Sequence, residues 1–261
     1  MDSDFFANLQ AQNFISEENT IVKSRKVLYD IVAWFKARPQ YLNECYLFAE
    51  KERNLKTQTV VDADGFFVDP DLMASELPQE FLHDSYGFCS NGFIRFSGRF
   101  VYPVKDVHGD VMGFCGYDKF SDAKYLDSKN YGYVAKEYSM WGMERLPEYY
   151  ESNDPVYFME GIVCGLYLRQ CGMQSLATLG ANFTQYIVEI MRRFGSRAVY
   201  IADIDEAGYK SKKRLNRLIP NMRVVQSRIA KDVDDSRKVD PSFASELRKL
   251  SNPFYVSPLF K

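Results

Sequence analysis

Histidine is scarce in this chain: His83 and His108 are the only two. Cysteine is sparse as well. Cys45, Cys89, Cys115, Cys164 and Cys171 include no C-x-x-C pair, which excludes a structural zinc site of the usual spacing. An odd number of scattered thiols predicts reduced cysteines and a cytosolic, cytoplasmic protein. No apolar run approaches the roughly 18 residues that a membrane helix needs, so no membrane partner is expected. The first residues, MDSDFFANLQ, are acidic and lack an apolar core, which predicts no signal peptide. Neither sign of charge dominates: 33 Lys and Arg face 35 Asp and Glu, a formal charge of −2. That balance leaves nucleic acid open, because an acidic metal centre and a basic template surface cancel in a sum. There is no internal repeat and no low-complexity tract.

What is present is enough apolar material for a large core. Hydrophobic residues make up 46% of 261 positions, and aromatics, chiefly Tyr and Phe, make up 15%. Core packing is the ordinary use of so many rings; stacking on bases is the other. Residues 1–20 are polar and weakly patterned. From Thr20 to Ala37 the spacing of Ile21, Val22, Val27, Leu28, Ile31, Val32 and Phe35 predicts a helix that Pro39 stops. A second helix is expected over Leu42 to Glu52. KTQTVVDADGFFVDPD reads as a hairpin turning at Asp64-Gly65. IRFSGRFVYPVKDVHGDVMGFCGYDK reads as two strands around a turn at Asp106–Asp110, and a short helix follows near Met143.

After Asp154-Pro155 the pattern becomes regular. VYFME, SLATLG, AVYIADID and RVVQSR read as strands. Helices between them are expected over Gly161 to Cys171, from a cap at Asn182 or Thr184 to Phe194, and over EAGYKSKKRLNRLI up to Pro220. Strands alternating with helices predict a mainly parallel sheet. Three of the strands stop at acids: Glu160; then Asp203 and Asp205; then, beyond RVVQSR, Asp232, Asp234 and Asp235. Ligand sites of open α/β sheets lie outside such carboxyl ends. Residues two apart in extended chain face one side, so Asp203 and Asp205 can converge, and Asp232 and Asp234 repeat that spacing. Singly, each cluster also fits a helix cap or a solvated turn. Jointly they predict a site that gathers carboxylates around a hard divalent cation, Mg²⁺ or Mn²⁺.

These residues resemble the Toprim domain of primases, topoisomerases and some nucleases. The likeness lies in Glu160-Gly161, in Asp203-Ile204-Asp205 followed by Ala207-Gly208, and in Lys231-Asp232-Val233-Asp234. The chain is most similar to the catalytic core of bacterial and phage DnaG-type DNA primases. RFSGRFVYPVKDVHGDVMGFCG, AKYLDS and SLATLGANFTQ match that family's motifs in order and spacing, and the likeness runs from about Phe93 to Asp235. Three positions depart from it. Ile204 stands where Gly is usual, Asp127 where Asn is usual, and Tyr117 where Arg is usual. No counterpart of the family's zinc-binding module or helicase-binding domain is found, so the chain is either an excised core or a compact, phage-type version completed by partners.

The resemblance implies a fold and roles. The fold class is α/β, with a Toprim-like, mainly parallel sheet flanked by helices and an N-terminal mixed α+β subdomain. The expected boundaries are 1–152, then 153–236 for the catalytic subdomain, then a helix and tail over 237–261 packing back on the core. Glu160, Asp203 and Asp205 would be catalytic. Glu160, Asp203, Asp205, Asp232 and Asp234 would hold Mg²⁺ or Mn²⁺. Arg99, Lys124 and Lys136 would bind nucleotide and template, and a groove between the two parts would hold single-stranded DNA. The implied activity is synthesis of RNA primers from ribonucleoside triphosphates on single-stranded DNA, with a replicative helicase or a separate zinc-binding module as partner. A Toprim nuclease and a non-catalytic replication module are the alternatives. Lys210, Lys212, Lys213, Arg214 and Arg217 read as a solvated helix face, with nucleic-acid contact the other reading. Tyr125, Tyr131, Tyr133 and Tyr138 are expected to pack, with base stacking the alternative.

Overall fold

The computed structural model describes residues 18–128, 136–180, 183–250, 252 and 255–260, with the side chains of 18–20 and 136 left out. The chain divides into two compact units. One comprises residues 1–52 and 60–139, the other residues 53–59 and 140–261.

The first unit begins with helix α1 (Glu18–Lys36). Pro39 ends it and, with no N–H to lose there, opens α2 (Pro39–Arg53). Next come α3 (Thr57–Asp62) and the strand β1 (Phe66–Val68). After three 3₁₀ turns follow β2 (Cys89–Ser90) and β3 (Phe93–Ile94), and then β4 (Arg99–Lys105), β5 (Val111–Tyr117) and β6 (Tyr125–Asp127). The order β1-β4-β5-β6 is antiparallel throughout. The turn at Asp106–Asp110 forms as expected: Asp106 Oδ1 accepts the N–H of His108 and of Asp110, and Gly109 takes φ +86°. Rings build this core. Phe35 of α1 stacks on Phe66 of β1 at 4.4 Å, and Phe88 and Phe114 meet edge to face at 5.3 Å.

The hairpin expected at Asp64-Gly65 does not form. Residues 57–62 are helical, and Phe66–Val68 pairs with Arg99–Val101 instead. The buried positions there are Leu55, Val60 and Ala63. Val60 and Ala63, three apart, have helical spacing, and their burial overrides the β-branched preference of Thr59-Val60-Val61. Asp64 leaves the helix at φ +53° with its carboxylate between Lys36 and Lys105. Gly65 is fixed by space: a Cβ there would lie 2.7 Å from the Tyr102 ring and 2.8 Å from Val60.

The second unit holds α4 (Leu146–Glu151), β7 (Val156–Met159), α5 (Ile162–Gln170), β8 (Gln174–Ala177), α6 (Gln185–Phe194), β9 (Ala198–Ala202), α7 (Glu206–Leu218), β10 (Arg223–Gln226), α8 (Val233–Val239) and α9 (Phe243–Lys249). The sheet order is β10-β9-β7-β8, all parallel. Every residue of β7 and β9 is buried, as a sheet covered on both faces requires. Thr184 caps α6 by accepting the Ile187 N–H at 3.3 Å; the other expected cap, Asn182, lies outside the described residues. The division expected at residue 152 falls at 139/140. Trp141 exchanges both backbone hydrogen bonds with Ala177, at 2.9 and 3.0 Å, and so joins the outer edge of the parallel sheet. At the other end Phe243, Leu247 and Phe260 are buried within this unit.

Replacing Gly65 by Ala should lower stability by about 1–3 kcal/mol, because the buried Tyr102 and Val60 side chains have no room to yield. Urea unfolding should show a lower midpoint with an unchanged slope.

Candidate active site

The acids stand where parallel strands run out. Glu160 follows the last residue of β7 and Asp203 the last of β9, and these two strands are neighbours in the sheet. The backbone around them is tied down. Thr178 donates its N–H to the Met159 carbonyl at 2.8 Å, and Leu179 donates to the Glu160 carbonyl at 3.1 Å. Gln226, at the end of β10, donates its side-chain amide to the Asp203 carbonyl at 2.9 Å. Ile204 N–H donates to the Lys231 carbonyl at 2.7 Å, which draws the Lys231-Asp232 segment against the end of β9.

Asp205 and Asp232 have a second duty as helix caps. Asp205 Oδ1 accepts the Gly208 N–H at 2.8 Å at the start of α7. Asp232 Oδ1 accepts the Asp235 N–H at 2.8 Å at the start of α8. Gly208 follows from the same compactness: a Cβ on it would sit 2.1 Å from the Asp203 carbonyl oxygen. The Gly of the Ala-Gly after the paired aspartates is thus a steric requirement of packing α7 onto the strand end. Ile204 between those aspartates is 39% exposed. Its bulk goes outward, which accounts for a large residue where Gly is usual.

The electrostatics separate the acids into kinds. The Glu160 and Asp203 carboxylates make no hydrogen bond or ion pair among the described residues, although both are half-buried. Burial, and then the charges of Asp232, Glu160 and Asp205, push Asp203 up to about 7 from its ordinary 3.8. Burial and the charge of Asp205 also raise Glu160. Burial raises Asp232 in spite of its cap bond. Asp205 goes the other way, lowered by the Gly208 N–H and, against burial, by Lys231, whose ammonium lies 3.2 Å from Asp205 Oδ2. Lys231 acts on Glu160, Asp203 and Asp205 together, and its own pKa is raised by Asp205, Asp203 and Asp232.

Asp234 belongs elsewhere. The spacing that suggested convergence with Asp232 assumed extended chain, but Val233 onward is helical, which rotates Asp234 away from its neighbour two residues back. Its carboxylate is buried among Arg53, Arg237 and Lys238. Although burial opposes it, those cations hold its pKa below the usual range.

The basic residues singled out in the sequence fall in the first unit. Arg99 is buried, and its guanidinium donates to the Ala123 carbonyl at 3.0 Å and to Ser121 Oγ at 2.9 Å. It shapes the loop between β5 and β6. Lys124 in that loop is exposed. Lys136 opens a 3₁₀ turn, Lys136–Tyr138, and its side chain lies outside the described residues. Tyr117, at the position where Arg is usual, is buried with its ring 5.0 Å from that of Tyr125. Tyr131 and Tyr133 lie outside the described residues. On α7, Lys210 pairs with Glu206 at 2.5 Å, and Arg214 donates to the Phe183 carbonyl at 2.8 Å.

Four half-buried or capping carboxylates at neighbouring strand ends, offering oxygen alone, fit a hard divalent cation. Two of them lack any partner. Among the described residues no three Asp, Glu, His or Cys side chains already stand together as a metal cage.

The arrangement of the two sheets is that of solved primase catalytic cores. Solved structures agree on the fold. The DnaG catalytic core superimposes with a TM-score of 0.73 at 18% identity, covering 87% of this chain and 79% of that one. The DnaG primase catalytic domain bound to ssDNA gives 0.74 at 18% identity, over 90% and 80%. The zinc-binding and RNA polymerase domains of Aquifex aeolicus primase give 0.70 at 23% identity, over 88% and 60%. In sequence, the chain is similar to the DNA primase of Aquifex aeolicus, 27% identical over 188 residues that make up 70% of this chain. It is likewise similar to the DNA primase of Rickettsia prowazekii, 27% identical over 194 residues and again 70% of this chain. The matched stretch spans only 37% and 32% of those two relatives, and 20% of the Lactococcus lactis DNA primase. No family model matches the chain. The chain is therefore a relative of DNA primases with the fold of the DnaG catalytic core.

Two outcomes test this geometry. Gly208→Ala should destabilise by about 1–3 kcal/mol, because the atom it meets is backbone; a thermal melt against wild type measures it. The second concerns pH. Asp203 has a higher pKa folded than its ordinary 3.8, so its contribution to stability is full below that value and is lost as pH rises through about 7. Metal-free protein should lose melting temperature across that window, and Asp203→Asn should flatten the part of the slope that this group supplies.

Proposed function

We propose that this chain is the nucleotidyl-transfer core of a DNA primase, joining ribonucleoside triphosphates into short RNA primers on single-stranded DNA. The observation that carries the reading is the pair of unpartnered, half-buried carboxylates, Glu160 and Asp203, with Asp205 and Asp232 beside them, on the fold of the DnaG core. In the reaction the primer 3′-hydroxyl oxygen bonds to the α-phosphorus, the bond to the bridging oxygen breaks, and pyrophosphate leaves.

Glu160, Asp203, Asp205 and Asp232 would hold Mg²⁺ or Mn²⁺. A divalent cation bound there supplies charge neutralisation for the triphosphate and for the transferring phosphorus. The chain's own residues do the rest. The cap bonds of Asp205 and Asp232 aim their carboxylates before substrate arrives. Lys231 offers a half-exposed ammonium at the edge of the cluster, paired with Asp205, which would exchange that partner for phosphate oxygens. Glu160, whose raised pKa makes it a better proton acceptor than an ordinary carboxylate, suits either metal ligation or removal of the hydroxyl proton.

In the first unit Lys124 is available to nucleotide or template phosphates, and Lys136 is assigned the same role from the sequence likeness. Arg99 would act by holding the loop that presents Lys124. A single-stranded template follows from the likeness to the domain solved with ssDNA. A zinc-binding module and a replicative helicase are the partners that the sequence likeness implies. No helix among the described residues is long and apolar enough to cross a membrane; the cytoplasm is the compartment this role requires.

Incubation with ribonucleotides and mixed-sequence single-stranded DNA, with Mg²⁺ or Mn²⁺, should yield short oligoribonucleotides. Asp203→Asn should cut that yield by roughly a thousandfold or more with the fold intact by circular dichroism. Shortened template with no RNA product would mean a nuclease, and full synthesis by a folded Asp203→Asn variant would sink the mechanism.

A further inference from the structure

Asp234 is surrounded on every side that a cation would need. A carboxylate offers about four lone-pair positions. Oδ1 accepts from Arg237 Nε at 3.0 Å and Nη2 at 2.6 Å. Oδ2 accepts from Lys238 Nζ at 2.8 Å and from Arg53 Nη1. The carboxylate of Asp234 and the guanidinium of Arg237 are nearly inaccessible, at 5% and 4%. The Asp232 carboxylate, by contrast, spends one oxygen on its cap bond and makes no other hydrogen bond or ion pair among the described residues.

Arg53 comes from far away in sequence. It starts the short stretch, residues 53–59, that belongs to the second unit although both its flanks belong to the first. The stretch is bound in place. Gln170 of α5 donates its side-chain amide to the Asn54 carbonyl at 3.3 Å and accepts the Lys56 N–H at 2.5 Å. Arg237 donates to the Arg53 carbonyl and lies 4.5 Å from the Tyr167 ring centroid. Asp234 is thus the shared post of a buried ion cluster joining the first turn of α8 to residues 53–59.

We infer that Asp234 is a positioning residue and not a metal ligand: with Arg53, Arg237 and Lys238 it locks the first turn of α8 and so aims Asp232, the ligand two residues before it. The inference rests on the proposed metal site. It divides the late acidic pair into one acid that binds and one that holds.

Cysteine exchange separates the two roles, because a thiolate that ligates Cd²⁺ gives a sulfur-to-metal charge-transfer band in the ultraviolet. Full-length Asp232→Cys and Asp203→Cys proteins titrated with Cd²⁺ should each gain that band over wild type, while Asp234→Cys should not. A band in Asp234→Cys overturns the inference. If none of the three shows it, the metal reading fails and the inference falls with it. Arg53 gives the second arm, read by electron paramagnetic resonance of free Mn²⁺. Arg53→Met should weaken Mn²⁺ binding about tenfold at unchanged stoichiometry, and Arg53→Lys should restore most of it. Equal Mn²⁺ affinity in wild type and in folded Arg53→Met rules out positioning.

Discussion

Like charges crowded at the carboxyl edge of one parallel sheet are the constraint on which the second unit depends. The charges of Asp232, Glu160 and Asp205 raise the cost of ionising Asp203, that of Asp205 raises the cost of ionising Glu160, and Lys231 partly answers both. Such an arrangement persists because the backbone leaves it no exit. The Asp203 carbonyl is held by Gln226 on one side and pressed by Gly208 on the other, and Ile204 is bonded across to Lys231. Those contacts are made by groups that carry no charge of their own. The sheet can therefore be stable while its edge stays electrostatically unsatisfied, which is what a cation site needs before the cation arrives.

The strain is not shared equally. Asp205 and Asp232 sit at helix N-termini, where backbone N–H groups and the helix dipole favour a negative charge. Glu160 and Asp203 have no such help, and they are the two without partners. Asp234 has the opposite fate, overcompensated by three cations. Five carboxylates thus occupy three electrostatic situations.

Much of this was legible in the sequence, and the failures have a common cause. Fully buried strands announce themselves as unbroken apolar runs, so β7 and β9 and the acids that follow them could be placed without coordinates. The antiparallel pair around Asp106–Asp110 was legible from its turn. Thr57–Asp62 was not, because its β-branched residues argue for a strand, and only the burial of Val60 and Ala63 on one face makes it a helix. Asp234 was misplaced by a period: two-residue spacing aligns side chains in a strand but not past the helix cap at Asp232. Arg53 could not have been found at all. Its partner lies 181 residues away, and nothing local distinguishes it from other helix-end arginines. Arg99 was read from the sequence as a nucleotide- or template-binding cation; its guanidinium is buried and donates to the Ala123 carbonyl and Ser121 Oγ, contacts that depend on the β5–β6 loop folding back over β4.

The departures from the primase pattern follow the same logic. Gly208 admits no side chain, since the obstacle is a carbonyl. Ile204, one step from two candidate ligands, tolerates a large one because its Cβ points to solvent. Tyr117 replaces a cation with a ring that packs against Tyr125, exchanging a charge for apolar burial within the sheet of the first unit. A chain can lie at 18% identity to the DnaG core and still superimpose on it, because what defines the site is a small set of steric and hydrogen-bond requirements at the strand ends.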